Sequence, residues 1–154
     1  MATVYFDLDG TLYDLYGQHG WLDMLHAEDV AAYINGGVLH NLNDLHLVID
    51  ALVAKGYRIG VVSWTAKDGS KAYNAAVRKV KREWVRKYLP QATEVHVVKY
   101  GTPKHWVAKD RHYAIIVDDA AEVREAWTLG KAIDATQGML YELWSIVSDP
   151  CATV

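Results

Sequence analysis

The stretch Phe6-Asp7-Leu8-Asp9-Gly10-Thr11-Leu12 places two carboxylates and a glycine directly after a short apolar run. That run, Thr3 to Phe6, has the β-branched and aromatic residues that are typical of a buried strand. Ligand sites in open α/β sheets lie at the carboxyl ends of the strands. The stretch therefore predicts a parallel sheet with reactive groups at its edge.

The rest of the chain alternates between strand-like runs and longer helical patterns, as α/β domains do. Further strands are predicted at Arg58 to Ser63, Val95 to Val98 and Tyr113 to Val117, with a shorter one near Ala132 and Ile133. Helices are predicted at Leu42 to Lys55, Lys67 to Tyr88 and Ala120 to Leu129. We expect one Rossmann-like domain over residues 1–154, a three-layer α/β/α sandwich with a mainly parallel sheet.

The segment Tyr13 to Asn41 interrupts the connection between the first strand and the first long helix. It carries a helical pattern around Trp21 to Tyr33, followed by Gly36 and Gly37. An unstructured connection of this length is uncommon in a compact domain, so we expect a small helical cap over the sheet edge. Residues 148–154 are expected to form a short C-terminal tail.

The composition of the chain excludes several functional classes of protein. The net formal charge of -3 argues against a strongly basic nucleic-acid binder, although Met1 to Ala54 carries -8 and the remainder +5. The one cysteine, Cys151, excludes an intrachain disulfide framework and a multi-cysteine zinc site. Because no apolar run is long enough to cross a membrane and no secretion-signal pattern is present, we expect a soluble, cytoplasmic protein without membrane partners.

Polar side chains follow the other predicted strands in the same way. Ser63-Trp64-Thr65 ends the second strand, Gly101-Thr102-Pro103-Lys104 follows the third, and Asp118-Asp119 ends the fourth. A turn or a helix cap would explain each cluster taken alone. Their order, with each cluster at the carboxyl end of a strand, favours a shared site.

These residues resemble the motifs of the haloacid dehalogenase superfamily of phosphohydrolases. The match covers roughly Ala2 to Ala135. The chain departs from the commoner pattern at Trp64, where Asn or Arg usually follows the hydroxyl residue, and at Val117, where many relatives have Gly. The matched positions are Asp7, Asp9, Thr11 and Leu12 in the first motif, Ser63 in the second, Lys104 in the third, and Asp118 with Asp119 in the fourth.

The resemblance implies a phosphatase that works through an aspartyl-phosphate. It makes Asp7 the nucleophile, Asp9 the general acid and base, and Ser63 a hydrogen-bond donor to the phosphate. Lys104 would neutralise both the phosphate and Asp7. Lys99 is the alternative lysine, but it lies nearer the strand and we favour Lys104.

The resemblance also implies Mg2+ as the cofactor. Magnesium takes oxygen ligands and keeps several waters. Asp7, Asp118 and the backbone carbonyl of Asp9 would hold it, and Asp119 would bind directly or through water. Crowded carboxylates repel one another, so we expect the metal and Lys104 to be needed for the structure of the site as well.

Within the superfamily, the chain looks most like the 5'(3')-deoxyribonucleotidase branch and its small relatives. This implies a nucleoside monophosphate or a similar small phosphorylated metabolite as substrate. Aromatic side chains of the cap and of the second strand could stack on a base, although core packing explains the cap aromatics equally well. Thr65 is also the alternative to Ser63 as the phosphate donor. The expected substrate-binding residues are Gly10, Thr11, Tyr13, Tyr16, Trp64 and Thr65.

Two other functions are consistent with the sequence. The helix predicted at Lys67 to Tyr88 has a basic face, which suggests a phosphatase acting on nucleic-acid ends or on phosphoproteins, but most such faces are only solvated. A non-catalytic binding module with the same fold would need a lost nucleophile, and Asp7 is present. The basic face consists of Lys71, Arg78, Lys79, Lys81, Arg82 and Arg86.

Overall fold

The structure is a computed structural model that describes residues 2–108 and 111–150. Its strands form one parallel sheet in the order β3-β2-β1-β4-β5. Strands β1 and β4 are buried along their whole length, as strands covered on both faces should be. The strands are β1 Thr3–Phe6, β2 Arg58–Trp64, β3 Ala92–Val98, β4 Ala114–Asp118 and β5 Ala132–Asp134.

Helices cover both faces of this sheet. One core contains the apolar residues of α2, α3 and α5 packed on Val4 and Phe6 of β1. The other core lies on the opposite face, where Val123 of α4 packs with Tyr5 and Ile116. The helices are α1 Trp21–His26, α2 Leu42–Ala54, α3 Lys71–Tyr88, α4 Ala121–Ala126 and α5 Met139–Ser148, with short 3-10 helices at Val30–Tyr33 and Lys104–Trp106. The predicted Rossmann-like α/β/α sandwich is confirmed.

The strand order reverses between β1 and β4. From β1 the chain proceeds to β2 and β3 on one side, then crosses back to β4 and β5 on the other. In doubly wound sheets, the crevice outside the carboxyl ends of the strands at this reversal is where ligands bind. Phe6 pairs with Val117, so the residues that follow these two positions meet at the crevice.

Two predicted helices are shorter in the structure. Helix α3 begins at Lys71 instead of Lys67 because Asp68 has a left-handed backbone, with φ of 56°, and the hydroxyl of Ser70 caps the helix by accepting from the amide of Tyr73. Helix α4 ends at Ala126 instead of Leu129. Trp127 leaves the helix with an extended backbone, packs against Tyr5 and donates its indole N–H to the carbonyl of Ala114.

Two further elements differ from the predictions. The third strand begins at Ala92 instead of Val95, because it is the edge strand and its first residues are only partly buried, so they lack a continuous apolar run. Helix α5 was not predicted; it buries Met139, Leu143 and Ile146 and packs against α2. The predicted tail at 148–154 begins with the last residue of α5, and residues 151–154, including Cys151, lie outside the described residues.

The segment 13–41 folds as α1 and a 3-10 helix, separated by Glu28 with φ of 54°. The Tyr13 hydroxyl donates to the carbonyl of Ala32 at 2.6 Å and accepts from the amide of Gly36 at 2.7 Å. The Glu28 carboxylate accepts hydrogen bonds from the amide and the hydroxyl of Ser70, which fasten the segment to the start of α3. Among the described residues, none of the helices combines the length and apolar character needed to cross a bilayer.

Candidate active site

Three carboxylates meet at the crevice between β1 and β4. Asp7 directly follows β1, Asp118 ends β4, and Asp119 is the next residue. Each offers an oxygen that lies within 4.8 Å of the oxygens offered by the other two. Asp7 and Asp118 are buried, and Asp119 is partly exposed. The cluster therefore concentrates negative charge where little water can screen it.

Lys104 neutralises part of this charge. Its ammonium donates to Oδ1 of Asp7 at 2.8 Å and to Oδ2 of Asp118 at 2.6 Å. Burial opposes a charged lysine, but the two carboxylates outweigh burial and raise the pKa of Lys104 above its ordinary value. Lys99 is exposed at the end of β3 and does not line the cavity, so the structure places Lys104 and not Lys99 beside the carboxylates.

The pKa values of Asp118 and Asp119 are raised as well. Burial, reinforced by the charge of Asp7, raises the pKa of Asp118 to about 7 although Lys104 opposes the shift. Burial and Asp7 also raise the pKa of Asp119 to about 6. A bound divalent cation would favour the ionised carboxylates, so the cluster has the chemistry of a site for a hard cation.

Gly10 and Thr11 support Asp119. The Thr11 hydroxyl accepts from the amide of Asp119 at 3.1 Å and donates to its Oδ1 at 3.3 Å. Gly10 has φ of 78°, and a Cβ there would lie 2.3 Å from Oδ2 of Asp119. Neither residue lines the cavity, where the sequence suggested contact with a substrate; Thr11 holds Asp119 by these hydrogen bonds, and Gly10 leaves room for its carboxylate.

Asp9 is held by Lys81, which the helical pattern predicts on the basic face of α3. The Lys81 ammonium donates to Oδ2 of Asp9 at 2.5 Å, to Oγ of Ser63 at 2.9 Å and to the carbonyl of Trp64 at 2.7 Å. Burial raises the pKa of Asp9, and the charge of Lys81 opposes this shift. Lys81 follows Val77 by four positions, so it falls on the buried stripe of α3, and this spacing is the signal that could have identified it.

The two hydroxyls at the end of β2 have different surroundings. Ser63 is fully buried, and its oxygen accepts the hydrogen bond from Lys81. Thr65 lines the cavity, and its Oγ1 is buried without a hydrogen-bond partner among the described residues. A buried hydroxyl without a partner is unusual in a folded protein, and the hydroxyl of Thr65 is therefore left to bond a group outside the described residues.

A cavity of about 740 Å3 opens above the carboxylates. Asp7, Asp9, Asp118 and Asp119 line it, and residues of the segment 13–41 form a further part of the wall. Two aromatic pairs line it, Tyr16 with Trp21 and Trp64 with Tyr100, each with ring centroids 5.0 Å apart. The wall also includes Leu15, Leu22, Leu25, His26, Tyr33, Lys67 and Lys104.

Tyr13 is absent from this wall. Its side chain is 3% exposed, packs edge-on against Trp84, and has its hydroxyl occupied by backbone groups of the 13–41 segment. The structure thus brings Tyr16, Trp64 and Thr65 to the cavity, whereas Tyr13 belongs to the core. The structure does not support the expectation that Tyr13 binds substrate, because its ring packs in the core and its hydroxyl is already hydrogen-bonded. An aromatic residue suits either place, so the sequence could not distinguish them.

Comparisons with known proteins support the fold. No family model matches the chain, and no curated protein sequence matches it. Among solved structures, the chain is similar to D,D-heptose 1,7-bisphosphate phosphatase from Burkholderia thailandensis, with a TM-score of 0.56 and 11% sequence identity over 97% of this chain and 100% of that one. At this identity the likeness shows a shared α/β fold.

Proposed function

We propose that this protein is a Mg2+-dependent phosphomonoester hydrolase of the haloacid dehalogenase type. The observation that carries the proposal is the meeting of Asp7, Asp118 and Asp119 with Lys104 in the wall of the cavity. The sequence motifs predicted these residues, and the likeness of the fold to that of a phosphatase is consistent with this chemistry. Catalysis of this kind depends on neutralising the phosphate while a carboxylate attacks it.

The donor set fits Mg2+. Asp7, Asp118 and Asp119 supply carboxylate oxygens, the ligand type that this cation prefers, and their mutual distances allow a shared ion. The carboxylate of Asp9 is engaged by Lys81, which leaves its backbone carbonyl as its expected contribution. When bound, the ion would neutralise charge on the phosphate and on the carboxylates.

Asp7 acts as the nucleophile in the proposed reaction. A carboxylate oxygen of Asp7 forms a bond to phosphorus, the ester P–O bond breaks, and the leaving oxygen takes a proton from Asp9. Asp9 then removes a proton from water, the water oxygen attacks phosphorus, and the P–O bond to Asp7 breaks. The net reaction consumes one water and yields an alcohol and inorganic phosphate, with both carboxyl groups restored.

Lys104 and Thr65 stabilise the phosphoryl group in this proposal. The Lys104 ammonium already contacts Asp7, so it offsets charge on the attacking carboxylate and the phosphate together. Thr65 donates its hydroxyl to a phosphate oxygen, because Thr65 lines the cavity and its hydroxyl has no partner among the described residues, whereas Ser63 does not line the cavity and its hydroxyl is bound by Lys81. Ser63 supports the site through that lysine.

A nucleoside monophosphate is the substrate class we propose. A volume of about 740 Å3 falls in the range of small-molecule sites, roughly 300–1,000 Å3. The pairs Tyr16 with Trp21 and Trp64 with Tyr100 present aromatic surface on which a base could stack. Stacking is tolerant of base identity, so the proposal covers purines and pyrimidines alike.

Nucleic-acid ends and phosphoproteins are the alternative substrates, and both would be bound by the basic face of α3. In the structure, fewer positive charges of that face are free to bind such a substrate. Lys81 is buried in the site, and Arg78 donates to the carbonyl of Val97. Lys71, Lys79, Arg82 and Arg86 remain exposed. We therefore favour a small molecule over a nucleic-acid end or a phosphoprotein.

Phosphate release by wild type and by Asp7→Asn tests the proposal. The substrate panel contains nucleoside monophosphates, sugar phosphates, 3'-phosphorylated oligonucleotides and a phosphopeptide, each with Mg2+ or with a chelator. We expect nucleoside monophosphates to be the best substrates, with activity lost in Asp7→Asn and with the chelator. Asp44→Asn is the matched control, because Asp44 is exposed on α2. Equal activity of Asp7→Asn and wild type would contradict the proposed nucleophile, and absence of activity on the whole panel would favour a binding module.

A further inference from the structure

Lys81 occupies a position where a charged residue is rare. It lies on the buried stripe of α3 with Tyr73, Val77 and Val85, and only 3% of it is exposed. Its neighbour Lys79 on the same helix is exposed. Lysine is almost never fully buried unless its charge is paired, so the contacts of Lys81 indicate what it does.

The Lys81 ammonium has three donors, and the structure uses all of them. They reach Oδ2 of Asp9, Oγ of Ser63 and the carbonyl of Trp64. The ring of Tyr33 from the 13–41 segment lies 4.9 Å from the ammonium nitrogen. Lys81 thus ties the loop after β1, the end of β2 and the 13–41 segment to α3.

This arrangement fixes one oxygen of Asp9 and leaves the other without a partner. Oδ2 is bound by Lys81, whereas Oδ1 is buried and has no hydrogen-bond partner among the described residues. Asp9 lines the cavity and its Oδ2 is occupied, which leaves Oδ1 as the oxygen for proton exchange in the proposed reaction. A proton donor works only when it is held within hydrogen-bond reach of the reacting oxygen.

We infer that Lys81 is a positioning residue that fixes the Asp9 carboxylate, with Ser63 and the carbonyl of Trp64 as its anchors. The inference rests on the proposed function, in which Asp9 protonates the leaving oxygen. Lys81 itself does not contact the reacting atoms. Its loss is therefore expected to matter most for substrates whose leaving oxygen needs a proton.

Two matched substrates test this role in the Mg2+-loaded protein. 4-Nitrophenyl phosphate releases a weakly basic phenolate that leaves without a proton, whereas 4-nitrobenzyl phosphate releases an alkoxide that must be protonated. We expect Lys81→Met to lower kcat/KM, which reports the step that expels the leaving oxygen, by on the order of 100-fold on the benzyl ester and by less than about 10-fold on the phenyl ester. Lys79→Met, which removes the same charge from an exposed position, should leave both rates unchanged.

A double variant separates positioning from general damage to the fold. If Lys81 acts through Asp9, Asp9→Asn with Lys81→Met should have the kcat/KM of Asp9→Asn alone on the benzyl ester. Lys81→Arg keeps the buried charge and covers the case in which Lys81→Met does not fold; we expect the same dependence on the leaving group with a smaller loss. The inference would be overturned if the loss in the double variant equalled the product of the losses in the two single variants, or if Lys81→Met lost equally on both esters.

The wild type distinguishes this inference from the proposed function. An active wild type and an inactive Asp7→Asn, combined with equal losses on both esters in the Lys81 variants, would overturn only the role of Lys81. A wild type that hydrolyses neither these esters nor the substrate panel would overturn the proposed function and the inference together.

Discussion

The ammonium of Lys104 lies 2.6 Å from Oδ2 of Asp118, and both side chains are almost fully buried. Each charge of such a pair is tolerated in the interior only while the other is present, because loss of one partner leaves an uncompensated buried charge. Asp7 shares the same ammonium, so Lys104 offsets two carboxylates at once. The stability of the site should therefore depend on this lysine.

Lys104→Met should destabilise the metal-free protein by about 3–5 kcal/mol at pH 8, the usual effect of breaking a buried ion pair. Urea unfolding followed by circular dichroism measures this free energy. Lys99→Met is the matched control and should change it little, because Lys99 is exposed. An unchanged free energy of unfolding in Lys104→Met would contradict the role given to this ion pair.

The stabilisation by Mg2+ should depend on pH. The folded-state pKa values of Asp118, about 7, and Asp119, about 6, lie above their ordinary value of 3.8, so the metal-free protein loses the contribution of these groups as pH rises from about 4 through 7. Mg2+ binds the ionised forms. The increase in melting temperature on adding Mg2+ should thus be larger at pH 8 than at pH 5. Asp118→Asn should lose most of this increase, and an equal increase at both pH values would argue against metal binding at this cluster.

Thr65→Val should lower kcat by about 100-fold, as expected when one donor to a transferring group is removed. Thr65→Ser keeps the hydroxyl and should recover most of the rate. Ser63→Ala should have the smaller effect, because Ser63 acts through Lys81. Steady-state kinetics on the best nucleoside monophosphate measures the three variants, and a larger loss in Ser63→Ala than in Thr65→Val would reverse the assignment.

Tyr100→Leu should raise KM for a nucleoside monophosphate about 10-fold, because it removes one ring of an aromatic pair on the wall and a stacking contact contributes roughly 1–3 kcal/mol. KM for glycerol phosphate, which has no base, should not change. Tyr141→Leu is the control, since Tyr141 is exposed on α5. The same KM increase for both substrates would indicate that Tyr100 does not contact a base.

The fold and the carboxylate cluster could be predicted because both depend on local patterns. A short apolar run indicates a buried parallel strand, and the Asp7 or Asp118 that ends the run marks the end of the strand that carries the reactive group. Lys81 was misplaced for the opposite reason: its charge suggests solvent, and only its position on the buried stripe of α3 reveals an interior contact with Asp9, which is distant in the sequence. Tyr13 suited both the cavity and the core, and only packing against Trp84 decided between them.

In the proposed reaction, Asp7 carries the phosphoryl group during turnover. Borohydride reduces an acyl phosphate to an alcohol, so a reaction quenched during turnover and then reduced should yield a peptide with homoserine at position 7, detected by mass spectrometry. Asp7→Asn should yield none. Release of phosphate by the wild type with no homoserine at position 7, or with homoserine in place of a different aspartate, would contradict the role of Asp7 as the nucleophile.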